Sequence, residues 1–203
     1  MTPRLLAISD RRRLDGRSWQ DWIADLARSG VEGLQIREKD LDDRGILALA
    51  ESARRSNLGL WINGRADIAW IAAAEGVHLP VRGVSAAALR ERFGEGLSLG
   101  CSTHDLREVE AARDAGADFV TFGPVFSTPG KGESTGLDGL AAAVELGLPV
   151  LALGGVMPER LDEVRATGAH GVAGIRVFHD RAALSRLVEA WKRLASDGSD
   201  RPA

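Results

Sequence analysis

RDAGADFVTF, residues 113–122, is the stretch on which the fold turns. Upstream of it apolar residues recur at helical spacing, Gly116 supplies a helix stop, and Phe119-Val120-Thr121-Phe122 is a short run of the kind that is buried in a parallel sheet. The same device returns in RSGVEGLQI at 28–36 and in RATGAHGVAGI at 165–175. A chain that repeats helix, glycine and buried strand is assembled from βα units. Working outward, eight strands are expected: Arg4 to Ile8, Gly33 to Arg37, Gly59 to Asn63, Gly76 to Leu79, Ser98 to Ser102, Phe119 to Gly123, Val150 to Gly154 and Gly171 to Ile175. Helices fill the intervals at Ser18 to Arg28, Asp42 to Arg55, Ala66 to Ala74, Ser85 to Phe93, Leu106 to Ala115, Gly136 to Leu146, Pro158 to Thr167 and Arg181 to Ala195, several of them opening on Ser or Asp caps. Eight units within 203 residues favour a closed (β/α)8 TIM barrel, a single α/β domain over residues 1–196, with 197–203 as a polar tail. No GxGxxG follows the first strand, so nothing supports an open dinucleotide-binding sheet.

Composition narrows the function. The 26 basic and 29 acidic side chains leave a net charge of −3, without the basic excess that a nucleic-acid backbone demands. The opening MTPRLLAISD has only a short apolar run before it turns charged, so it reads as neither signal peptide nor membrane span, and a cytoplasmic location is expected. One cysteine, Cys101, excludes an internal disulfide and a cysteine-rich metal site. Trp19, Trp22, Trp70 and Trp191 fall on helices and are expected in the buried outer shell, with a homo-oligomer interface as the alternative.

In a closed barrel the reactive loops follow the carboxyl ends of the strands. Strand two ends in Gln35-Ile36-Arg37-Glu38-Lys39, where alternation turns Gln35, Arg37 and Lys39 to one side; two cations there suit a phosphate or pyrophosphate, against the plainer reading of an ion-pair set with Glu38 and Asp40. Strand three ends at Asn63-Gly64, either a substrate-binding amide or a turn. Strand five ends in Ser102-Thr103-His104-Asp105, where Ser102 or Thr103 is a helix cap or a ligand and His104 is a first-turn residue or a proton carrier. The loop Gly123 to Gly132, with Thr128 and Lys131, has the length and glycine content of a lid. Gly155 after strand seven, and Gly174-Ile175 at strand eight, let backbone amides approach an anion, the usual phosphate position of this barrel.

The segments QIREKD, INGRADIA, GVHLP, GCSTHDLREVEAARDAGADFVTFGPVF, STPGK, PVLALGGV and GAHGVAGI together resemble the thiamine phosphate synthase / thiazole tautomerase (TenI) family over nearly the whole chain. The resemblance implies a (β/α)8 barrel that binds a thiazole phosphate and, in the synthase branch, a pyrimidine pyrophosphate with magnesium. By position it implies that Gln35, Arg37 and Lys39 hold pyrophosphate, that Asn63, Ser102 and Lys131 belong to the same site, and that Thr128, Gly155, Gly174 and Ile175 clasp the thiazole phosphate. It points to catalytic roles for Arg37, Lys39, Ser102 and Lys131 and to substrate contacts for the others, while a catalytic role for His104 is expected from its place beside strand five.

Two departures point away from the synthase branch. Its pattern has an aspartate directly after the asparagine and another in a GQxD segment after strand four, and this chain has Gly64 and Gly83 there, with Asp67 a helical turn away. The tautomerase pattern is not met fully either, because its histidine position holds Pro124. The first expectation is therefore a thiazole tautomerase of thiamine biosynthesis, with no cofactor and with His104 or a bound water moving the proton. The alternative is thiamine phosphate synthase with Mg2+, which retention of three cations supports. A non-catalytic, regulatory thiazole phosphate-binding protein is the second alternative. Arg176 is left open between the phosphate site and an outward salt bridge.

Overall fold

The computed structural model describes residues 1–128, 130 and 132–196; the polar tail 197–203 lies outside the described residues. Eight parallel strands close into one barrel in chain order: β1 (Leu5–Ile8), β2 (Gly33–Ile36), β3 (Gly59–Asn63), β4 (Gly76–Leu79), β5 (Ser98–Thr103), β6 (Phe119–Phe122), β7 (Val150–Leu153) and β8 (Gly171–Gly174). Around them lie α1 (Trp19–Ser29), α2 (Asp43–Ala53), α3 (Ala66–Ile71), α4 (Ala86–Phe93), α5 (Leu106–Asp114), α6 (Gly136–Val144), α7 (Leu161–Ala166), α8 (Arg176–His179) and α9 (Arg181–Ser196). The repeated helix stop is real in backbone terms: Gly30, Gly116 and Gly168 have φ of +96°, +79° and +82°, which glycine adopts without a Cβ clash. Helix starts follow the expected chemistry, with Ser18, Asp42, Ser85 and Asp105 accepting from backbone N–H groups three residues on.

Some boundaries differ from expectation. β8 stops at Gly174 because Ile175 turns the chain into the short α8, and the helix expected from Pro158 opens as a 3-10 turn, Pro158–Arg160. Trp19, Trp22 and Trp191 are buried in the outer shell, whereas Trp70 is 57% exposed, its ring tilted against that of Phe93 with centroids 5.4 Å apart.

The pairing register orders the barrel interior. Advancing two residues at every second strand, as a closed barrel of this shear requires, stacks the inward side chains in layers of four from alternate strands. The lowest layer is Gly33, Gly76, Phe119 and Gly171, and the next is Leu6, Trp61, Gly100 and Leu151. Phe119 and Trp61 fill these layers edge to face, their centroids 5.9 Å apart. Gly33, Gly76 and Gly100 leave room for the two rings, and Gly76 and Gly171 also stand against the backbone carbonyls of Ser98 and Arg4. A Cβ on Gly100 would stand 2.3 Å from Phe119, and one on Gly33 or Gly76 would stand 3.0 or 2.8 Å from Trp61.

Candidate active site

Above the aromatic layers the interior turns polar. The third layer is Gln35, His78, Thr121 and Ala173, all nearly inaccessible, and the fourth is Ile8, Asn63, Ser102 and Leu153. Arg37, Pro80, Gly123 and Ile175 ring the mouth one step higher. His78 Nε2 lies 3.3 Å from the Thr121 hydroxyl, while His78 Nδ1 and Gln35 Nε2 are buried without a partner among the described residues. Burial, with the nearby Arg37 charge second, pulls the His78 pKa down to about 4, so the ring is neutral at physiological pH. The Asn63 amide donates to the His78 carbonyl at 3.2 Å, which fixes it at the end of β3. His78 and Thr121 were not among the expected site residues; the signal available for His78 was one imidazole at an inward position of the otherwise apolar Gly76-Val77-His78-Leu79.

The fate of the charged set on β2 decides between its two readings. Glu38 turns outward and is buried, accepting from the Arg11 backbone N–H at 3.1 Å and pairing with its guanidinium at 3.4 Å. Asp40 pairs with Arg11 and Arg12 at 3.2 and 3.6 Å. These acids are thus committed to the arginines after β1. Arg37 and Lys39 have no acidic partner among the described residues; Arg37 continues the inward side of β2, and Lys39 is exposed in the turn that follows. The Arg37 backbone is anchored by its N–H to the buried Ser9 hydroxyl at 2.9 Å, and the Ser9 N–H donates in turn to the Gln35 carbonyl.

Across the mouth, the lid root is sewn to β7. Val125 and Phe126 donate backbone N–H groups to the Leu153 and Gly154 carbonyls at 2.9 and 3.1 Å, and the Arg160 guanidinium lies 4.3 Å above the Phe126 ring. Gly154 and Gly155 have φ of +95° and +68°, and a Cβ on either would stand 2.7 Å from Pro124 or Phe126. Lid packing therefore explains why both are glycine. The Gly155 and Ile175 backbone N–H groups have no backbone acceptor among the described residues and lie just past the ends of the adjacent strands β7 and β8, a position suited to a phosphate. Gly174 is buried at the end of β8.

The remaining expected residues separate. Ser102 is half-buried beside Asn63 in the fourth layer and leaves the helix cap to Asp105, whose carboxylate accepts from the Glu108 N–H at 2.9 Å. His104 is exposed, and its Nδ1 donates to the Gly123 carbonyl at the lid root. The Thr128 hydroxyl donates to the Phe126 carbonyl at 3.0 Å within its own loop. Arg176 is exposed at the start of α8. Lys131 lies outside the described residues. Cys101 is buried, and burial pushes its thiol up to about 11, far from a nucleophilic thiolate.

The carboxylates do not fit a magnesium site. Gly64 and Gly83 offer no oxygen, and Asp67 is held in a two-pronged pair by Arg65 at 2.7 and 2.9 Å. Arg65 also binds Asp43 and holds both carboxyls below their usual range. Among the described residues no cluster of three or more His, Cys, Asp or Glu side chains could hold a metal ion, and no helix is long and apolar enough to cross a membrane.

The chain matches the family model described as thiamine monophosphate synthase over residues 5–178. It is 45% identical over 177 residues to a Geobacter sulfurreducens protein named provisionally as a thiamine-phosphate synthase, covering 83% of each chain. It is 32% identical over 201 residues to the thiamine-phosphate synthase of Syntrophomonas wolfei, covering 93% of this chain and 96% of the relative. Among solved structures, thiamine phosphate pyrophosphorylase from Pyrococcus furiosus superposes with a TM-score of 0.84 at 27% identity, covering 94% and 96% of the two chains. These names favour the synthase over the tautomerase expected first. With the barrel, its polar mouth and this match over most of its length, the chain belongs to the thiamine monophosphate synthase family.

Proposed function

We propose that the protein is a thiamine phosphate synthase, joining hydroxymethylpyrimidine pyrophosphate to thiazole phosphate with release of pyrophosphate. The observation that carries this reading is the presence of two anion-directed regions at one mouth. Arg37 and Lys39 after β2 are cations without acidic partners among the described residues, and the Gly155 and Ile175 amides after β7 and β8 form a second, separate donor set. A tautomerase with one phosphorylated substrate needs one such region. A transfer between a pyrophosphate ester and a phosphate needs both.

In the proposed reaction the thiazole nitrogen lone pair forms the new C–N bond at the pyrimidine methylene carbon, while the C–O bond to pyrophosphate breaks and its electron pair leaves with the phosphate oxygens. Arg37, Lys39 and Lys131 stabilise the charge that develops on the leaving group. Asn63 and Ser102 contact the substrate from the fourth layer, with Gln35 beneath them, and Thr128 contributes from the lid. Attack by an aromatic nitrogen requires no proton transfer, so Pro124 at the tautomerase histidine position is no obstacle and His104 needs no acid–base role.

The test supplies purified protein with both precursors and follows thiamine phosphate. Product at an enzymatic rate is expected. Absence of product, together with aromatisation of the non-aromatic thiazole precursor, would replace this reading by the tautomerase; binding of thiazole phosphate with neither turnover would leave a regulatory protein.

A further inference from the structure

The family resemblance implies a metal ion beside the pyrophosphate, and the strand register shows which residues stand at the corner of the mouth where it would lie. Pro80 lies in the same layer as Arg37, Gly123 and Ile175, so the connection from β4 to α4 leaves the barrel at the height of the Arg37 side chain. That connection begins with a tight turn, Pro80-Val81-Arg82-Gly83, closed by the Gly83 N–H on the Pro80 carbonyl at 2.8 Å. Gly64, after β3, packs beside the same proline, an added Cβ standing 3.6 Å from its ring. The two glycines that offer no carboxylate therefore flank one corner of the mouth, and the side chain carried by that corner is the exposed Arg82, which has no acidic partner among the described residues. The acids Asp43 and Asp67 are already committed to Arg65, and Glu38 and Asp40 to Arg11 and Arg12.

We infer that pyrophosphate is bound here without a divalent metal ion, with Arg82 supplying, beside Arg37 and Lys39, the positive charge that magnesium would bring. Magnesium needs carboxylate oxygens to anchor it next to phosphate, and a guanidinium needs none. The exchange is chemically self-consistent. Removing acidic side chains from the corner lowers its affinity for a cation and at the same time removes their repulsion of the substrate's phosphates, so an arginine becomes the favourable occupant. The inference rests on the synthase reading for its biological substrate but concerns binding that can be measured without turnover.

The experiment is calorimetric titration of the full chain with inorganic pyrophosphate, in EDTA and in magnesium, for the parent and for Arg82→Ala and Arg82→Lys. The dissociation constant in EDTA is expected to stay within about twofold of its value in magnesium, and Arg82→Ala to weaken binding in EDTA about tenfold, with Arg82→Lys between, since one charge-assisted contact carries that much. Unchanged circular dichroism and thermal midpoint establish that the variants fold. Binding that appears only with magnesium overturns the inference, as does Arg82→Ala binding as tightly as the parent. The two-precursor assay separates this from the synthase reading: thiamine phosphate formed only with magnesium sinks the inference and spares the synthase, whereas metal-free pyrophosphate binding with no product sinks the synthase and spares the subsite.

Discussion

The lower and upper halves of the barrel interior are built on the same eight strands and obey opposite rules. Below, two aromatic rings are accommodated by glycines and the other inward positions are aliphatic or bare, although Trp61 Nε1 is buried there with no hydrogen-bond partner among the described residues. Above, Gln35, His78, Thr121, Asn63, Ser102 and Arg37 are polar, and Gln35 Nε2 and His78 Nδ1 are buried and unpartnered among the described residues. The lower half exchanges chemical possibility for packing. The upper half carries unsatisfied polarity that only the packing beneath it makes tolerable, since a buried polar atom without a partner destabilises the fold.

That division predicts where each kind of damage appears. The largest expected effect is on stability: Trp61→Ala, which empties the second layer, should cost about 3–5 kcal/mol in denaturant unfolding. A smaller loss would mean that the layers above can collapse into the space. His78 sits at the boundary. Its native pKa of about 4 lies below the ordinary value of 6.5, so its contribution is fully present above about pH 6.5 and is lost as the pH falls toward 4, where the unfolded chain takes up a proton that the native ring refuses. Unfolding measured between these pH values should lose on the order of 3 kcal/mol of stability from this group, and His78→Gln should flatten that slope. At the mouth the effect should move from stability to activity. Arg37→Ala is expected to shift unfolding by less than about 0.5 kcal/mol while lowering kcat/KM by about 10- to 100-fold. A stability loss comparable to that of Trp61→Ala would show that the mouth is structural after all.

The order of the eight strands was legible because a parallel strand buried on both faces must be apolar and a crossover helix must stop before it, and both constraints leave local marks such as Gly116 before Phe119. The β2 motif was legible for the same reason, through alternation. Strand ends were less so. β8 was expected to run to Ile175, and the short α8 after it was missed, because the turn there follows from packing of Val177 and Phe178 against Gly174 and not from a local stop signal. The fate of the acids was out of reach as well: alternation places Glu38 on the opposite side from Arg37, but only the proximity of Arg11, 27 residues earlier, shows which cation takes it.

The sequence by itself determined a barrel of βα units, its polar mouth, and the absence of carboxylates at Gly64 and Gly83, since each depends on residue types at fixed spacing along one chain. The tertiary structure decided which charges are spent and which remain. Arg65 neutralises Asp43 and Asp67, Arg11 and Arg12 take Glu38 and Asp40, and Arg37 and Lys39 are left without acidic partners among the described residues. Ion pairing depends on distance in space, and the closure of the barrel brings β1 beside β2 and sets the loop after β3 against α2, contacts that no local pattern encodes.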